Sequence, residues 1–225
     1  MGVELDKIKY INLYALQDKV LKLVFSENTE FYLTGGTCLN RFFFEKRYSD
    51  DLDFFTFNSS TFFHSIAGIM KIFKDNNLYY KKIVDSKSFV RINIIEADIV
   101  LQIDFINDSV NRYGDFIFIN NYKLDNPLNI LSNKITAILG RDNPKDIFDI
   151  YLISKNMKFN WKTIIEQSKD KMIFQKDELI YRLETFPYTF LKNIKVIDFD
   201  FLKNIEKEFP VIIKDILNCN DNSLF

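Results

Sequence analysis

The sequence predicts an α+β protein: an α/β N-terminal half over residues 1–127, then an all-helical half over residues 128–225. Short runs of alternating β-branched and aromatic residues cluster before Pro127, and apolar residues at helical spacing fill the chain after it. With 225 residues, 47% of them hydrophobic and 16% aromatic, the chain can bury a sizeable core.

Each element has its own signal. Residues 4–25 carry Leu5, Ile8, Ile11, Leu16, Val20, Leu23 and Val24 at helical spacing, which predicts a first helix packed on a core. Phe31, Tyr32 and Leu33 read as a short buried strand that ends at Gly35-Gly36-Thr37. A helix is expected over 38–46 and a strand over 51–57, where Leu52 and Phe54 alternate with Asp51 and Asp53. The Ser59-Ser60-Thr61 cluster caps a helix that runs to about residue 73. The runs 88–96 and 98–106 form a hairpin, and a short strand follows over 115–119. Beyond Asn126-Pro127, helices are expected over 129–140, 144–155, 161–171, 176–186 and 201–217.

Composition narrows the chemistry. Thirty basic and 31 acidic residues nearly cancel, which argues against a protein that coats nucleic acid non-specifically but leaves room for a local basic cleft. Lys71, Lys74, Lys81, Lys82, Lys87 and Arg91 could line an RNA path or simply form a solvated face. Cys38 and Cys219 have neither disulfide-framework nor metal-ligand spacing. A single histidine, His64, sits in an apolar helical pattern that suggests a structural role, and its solitude removes Ser-His-Asp and multi-histidine zinc chemistry. No stretch reaches the roughly 18 apolar residues of a membrane span, and the N-terminus lacks a signal-peptide core. A soluble, cytoplasmic monomer with no membrane partner is expected.

The chemistry begins at Asp51 and Asp53. On a strand, residues two apart share a face, and two carboxylates held that close need a cation or a proton between them. Ahead of them Gly35 and Gly36 let a phosphate approach the backbone closely, while Thr37 suits either a helix cap or a phosphate contact. Asp104 lies in the apolar run Ile99–Ile106 and is either a third metal ligand or an exposed strand end. Asp51, Asp53 and Asp104, together with a bound triphosphate, could hold two Mg²⁺ ions about 3.5–4 Å apart, the arrangement for in-line displacement at phosphorus. Magnesium prefers such oxygen ligands. In the helical half, Lys134 and Arg141 lie on nearly one helix face, and Asp146 and Asp149 share another. Lys134 would neutralise charge on a leaving pyrophosphate, with an acid to orient it. Asp146, three residues after Asn143, also suits a capping box.

Jointly, Gly35-Gly36-Thr37, Arg47-x-Ser49-x-Asp51-Leu52-Asp53, Lys134 and Lys145-Asp146-x-x-Asp149 resemble the AbiEii/AbiGii toxin family of nucleotidyltransferases, within the polymerase-beta-like superfamily. The resemblance implies a mixed-sheet nucleotidyltransferase core followed by a helical domain. It implies transfer of a nucleotide from a nucleoside triphosphate (NTP) with release of pyrophosphate. Asp51 and Asp53 match the metal-binding pair, and Lys134, Asp146 and Asp149 match the later motifs. Arg47 and Ser49 match the stretch before the metal pair, where phosphate contact is expected. Such proteins act as toxins of toxin–antitoxin or phage-defence systems, so an antitoxin partner and an RNA acceptor, including a tRNA 3′ end, are implied. A protein or small-molecule hydroxyl is the alternative acceptor, and a catalytically silent binding module the alternative class. Cys38 stands where alanine is usual and Lys145 where arginine is frequent.

Overall fold

The computed structural model describes residues 2–225, with side chains from Lys7 onward, so the side chain of Leu5 lies outside the described residues. The chain divides into two compact units. One comprises residues 1–38, 49–109 and 116–125, and the other residues 39–48, 110–115 and 126–225.

The first unit is built on a seven-stranded mixed sheet. Its strands are β1 (Tyr32–Thr34), β2 (Leu52–Phe57), β3 (Tyr80–Asp85), β4 (Phe89–Glu96), β5 (Ile99–Asp108), β6 (Ile117–Ile119) and β7 (Tyr122–Leu124), in the order β3-β4-β5-β2-β1-β7-β6. The predicted hairpin is β4–β5, turning at Ala97 and Asp98 with Glu96 opposite Ile99. β2 and β5 run parallel, as do β1 and β7, and the remaining pairs are antiparallel. Helix α1 (Gly2–Ser26) packs against β5 and β7 through an inner face that includes Leu16, Val20 and Val24. Helix α3 (Phe62–Asp75) buries Phe62, Ile66, Ile69 and Phe73. At the centre, Phe54 and Phe105 on neighbouring strands stack at 5.6 Å and are fully buried, each contributing roughly 1.5–3 kcal/mol.

Two strands, β3 and β7, fall outside the sequence pattern. The Tyr80–Asp85 segment is the sheet edge with mostly exposed residues, so it shows no clean alternation, and Tyr122–Leu124 is too short to carry a period. The helix expected over 38–46 instead begins at the glycines, as α2 (Gly35–Leu39), and passes into a π-helical turn at Asn40–Phe44. Glu45, at φ 52°, ends it. His64 is exposed on α3 rather than part of the core.

The second unit gathers α4 (Pro127–Gly140), α5 (Pro144–Asn156), α6 (Trp161–Lys171), α7 (Lys176–Glu184) and α8 (Ile205–Asn218), with 3₁₀ turns at Tyr188–Asn193 and Phe199–Leu202. Asparagine side chains cap three of these helices. Asn126 accepts from the Asn129 N–H at 2.8 Å, Asn143 from Lys145 at 3.0 Å and Asn160 from Lys162 at 2.9 Å. Proline opens α4 and α5, where a missing N–H costs nothing. Helix α4 packs against α5, α6 and α7. Among the described residues no helix is long and apolar enough to cross a membrane.

Candidate active site

The predicted site residues fall into two groups, one in each unit. In the first unit they assemble on one face of the sheet. Alternation along β2 puts Leu52 and Phe54 in the core and leaves Asp53 half-buried on the other side, with Asp51 just before the strand. Register then aligns a polar row across four strands. Arg91 on β4 pairs with Asp104 on β5, Asp104 with Asp53 on β2, and Asp53 with Thr34 on β1. Asp104 is 7% exposed and lies mid-strand, because β5 runs on to Asp108.

Asp104 is held by a side chain that sequence reasoning assigned elsewhere. Arg91 donates from Nε to Oδ1 and from Nη2 to Oδ2, both at 2.7 Å, and Gln102 Nε2 reaches Oδ2 at 3.5 Å. The bridge to Asp104 raises the Arg91 guanidinium above its ordinary range, with smaller pulls from Asp51 and Asp53.

The glycine turn sits against these acids. Gly35 has φ +72°, a conformation that favours glycine, and a methyl built there would run into the Asp53 carboxylate. Thr37 and Ser49 are buried rather than displayed. Their hydroxyls lie 2.7 Å apart, and the Thr37 hydroxyl also bonds the Asp51 carbonyl. Helix α1 clamps Ser49 further, since Tyr14 Oη accepts its N–H at 3.1 Å and Gln17 Nε2 donates to its carbonyl at 3.1 Å. Thr37 and Ser49 therefore fix the backbone that leads into Asp51.

In the second unit, Lys134, Asp146, Asp149 and Arg47 form one buried cluster. Lys134 Nζ lies 2.8 Å from Asp146 Oδ1 and 2.8 Å from Asp149 Oδ2. Arg47, 1% exposed, donates from Nε to Asp149 Oδ1 at 2.9 Å and from Nη2 to Oδ2 at 2.8 Å. Arg141 reaches Asp146 through Nε at 2.7 Å and Nη2 at 3.0 Å. Asp146 therefore does not serve as the return half of a capping box: its carboxylate faces the cations. The predicted phosphate contact of Arg47 gives way to a buried pairing with Asp149.

Asn40, in the π-helical turn, completes the cluster. Its Nδ2 donates to Asp149 Oδ1 at 3.2 Å, and its Oδ1 accepts the Arg47 N–H at 3.2 Å. Burial alone would push the Asp149 carboxyl up, but Arg47 and Lys134 outweigh it and hold it at about 2. Asp146 is likewise held below its ordinary value against the effect of burial, by Lys134 and Arg141. Burial would lower Lys134, yet Asp149 and Asp146 raise it. Three cations, Lys134, Arg47 and Arg141, face the two carboxylates of this cluster.

The residues fit a magnesium ion in part. Asp51 and Asp53 are hard oxygen donors of the right kind. Among the described residues, however, no three acidic, histidine or cysteine side chains are grouped to hold a metal, and Asp104 is engaged by Arg91.

The first unit is thus a mixed sheet whose glycine turn packs against Asp53, in a chain with a helical C-terminal part. A model of the family described as nucleotidyl transferase AbiEii toxin, type IV toxin–antitoxin system, matches residues 23–218, and the chain belongs to that family. Its fold is similar to that of JHP933 from Helicobacter pylori, with 18% identity and a TM-score of 0.54 over 93% of this chain and 79% of that one. A second H. pylori structure, described as a candidate nucleotidyltransferase, is similar at 18% identity and TM-score 0.54 over 92% of this chain and 81% of that one. No curated protein matches the sequence.

Proposed function

We propose that this nucleotidyltransferase moves a nucleoside monophosphate from a magnesium-bound NTP to an acceptor hydroxyl on RNA, and that this transfer is the basis of a toxic activity. The observation that carries the reading is the alignment of Asp53 with Asp104 in the β2–β5 ladder, beside Gly35 and two residues beyond Asp51. Asp51 and Asp53 would hold the divalent ion, which supplies charge neutralisation for the triphosphate and a lowered pKa for the acceptor oxygen.

The acceptor oxygen forms a bond to the α-phosphorus as the bond to the bridging oxygen breaks. Pyrophosphate leaves with the bonding pair, and the acceptor proton passes to solvent or a carboxylate. The Gly35-Gly36 backbone is the proposed phosphate approach, because Gly35 carries no side chain beside Asp53. The Lys134 ammonium would complement the charge of a polyphosphate. A tRNA 3′ end is the first acceptor to test, with protein and small-molecule hydroxyls as alternatives, and the site of action is the cytoplasm.

The test is incubation with each labelled NTP against total RNA and total protein, for wild type and Asp53→Ala. Label in RNA that disappears in the variant is expected. Label in protein would replace the acceptor, and full transfer by a folded Asp53→Ala would overturn the mechanism. Growth arrest on expression, relieved by Asp51→Asn, is the expected outcome in cells.

A further inference from the structure

Arg91 points one edge of its guanidinium at a carboxylate in the polar row that contains Asp53. Both Asp104 oxygens accept from the guanidinium at 2.7 Å, and Asp104 is the lateral neighbour of Asp53. The Arg91 side chain is 34% exposed and that of Asp104 9%, so the bridge is shielded on the carboxylate side. Planar two-point pairing of this kind is stronger and more directional than a single ion contact.

From this geometry we infer that Arg91 is a positioning residue that stands in for a divalent ion: it keeps Asp104 away from metal, and so keeps the metal affinity of the carboxylate row low, until NTP phosphates add ligands. The inference rests on the proposed function, since it takes Asp51 and Asp53 as metal ligands.

Three carboxylates side by side repel one another unless a cation lies among them. Where a protein supplies its own fixed cation, a metal ion must displace it or bind without the third acid. Removing the guanidinium charge should free Asp104 and strengthen metal binding, whereas a role in sheet stability alone would leave metal affinity unchanged. Gln102 does not substitute, because its amide is neutral and more distant at 3.5 Å.

The experiment is Mn²⁺ binding without nucleotide, read by electron paramagnetic resonance or calorimetry on the full chain. Wild type, Arg91→Met, Arg91→Lys, Asp53→Asn and the double variant Arg91→Met/Asp104→Asn are compared. Arg91→Met should bind Mn²⁺ about tenfold tighter or more. Arg91→Lys, which retains the charge but not the two-point pairing, should fall between wild type and Arg91→Met, and the double variant should lose the gain. Unchanged or weaker binding by Arg91→Met overturns the inference, provided Asp53→Asn abolishes binding and so verifies the metal site. No Mn²⁺ binding by any variant overturns the metal site itself, and the inference with it. Should Arg91→Met fail to fold, Arg91→Gln provides the same readout and the same decision.

Discussion

Gly35 and Asp53 are packed so closely that only hydrogen fits at position 35: an added methyl meets the Asp53 carboxylate and lies 3.3 Å from its Cγ. The backbone there is also left-handed, at φ +72°, which costs a side chain about 1–2 kcal/mol. Gly35→Ala should therefore displace a carboxylate of the proposed metal pair and lower nucleotidyl transfer by about 10²-fold, with a modest stability loss. Gly68→Ala is the control. It sits in α3 with its nearest neighbour, Glu27 Oε2, at 3.7 Å, so thermal stability should hold or rise slightly, with activity unchanged. Equal activity losses in both variants would refute the role given to Gly35.

Asp53 and Asp149 should respond differently to loss of charge. Asp53 lies among like charges, so Asp53→Asn should leave urea unfolding nearly unchanged while transfer falls at least about 10²-fold. Asp149 is the carboxylate that Arg47 and Lys134 share in a fully buried site, so Asp149→Asn removes half of the cluster's negative charge and should cost about 3–5 kcal/mol. Comparable unfolding midpoints for the two variants would contradict this division.

The acid limb of stability should come from the same cluster. The Asp149 pKa falls from 3.8 to about 2 on folding, so its contribution of about 2 kcal/mol is complete above the unfolded value and is lost as pH drops through about 2. Asp146 shifts in the same direction. Lys134 is raised, so its contribution is complete below its ordinary value of 10.5 and fades as pH rises through the higher folded value. Urea unfolding should therefore show a plateau from about pH 4 to about pH 10, falling on both sides. In Lys134→Met the alkaline fall attributed to this group should vanish.

How much of this was legible in the sequence depends on how far apart the partners lie. Period-two alternation placed Asp51 and Asp53 beside the core residues Leu52 and Phe54, and the Asn126-Pro127 signal marked where α4 begins, because both are local rules. The pairings that decide the chemistry are not local. Arg91 meets Asp104 across 13 residues of a hairpin, and Arg47 meets Asp149 across 102 residues. Nothing in helical or strand periodicity marks either arginine as a carboxylate partner. Asn40 was hidden for another reason: its turn is π-helical, so helical spacing does not report where its side chain points.

The charge count of the buried cluster separates Lys134 from the acids that hold it. Without Lys134, Asp146 still has Arg141 and Asp149 still has Arg47, so each carboxylate keeps an arginine partner. Lys134→Met should therefore fold, with a stability loss smaller than that of Asp149→Asn, since no buried charge is left uncompensated. The Lys134 ammonium disappears with it, and that charge is what the proposed reaction uses against a leaving pyrophosphate. The expected result is a drop of about 10²–10³-fold in kcat with little change in unfolding midpoint, measured by steady-state pyrophosphate release. An Arg141→Gln variant should show a milder effect, because the Arg141 side chain is 56% exposed and screened by solvent. If Lys134→Met unfolds as readily as Asp149→Asn, Lys134 is structural, and the catalytic role must pass to another cation.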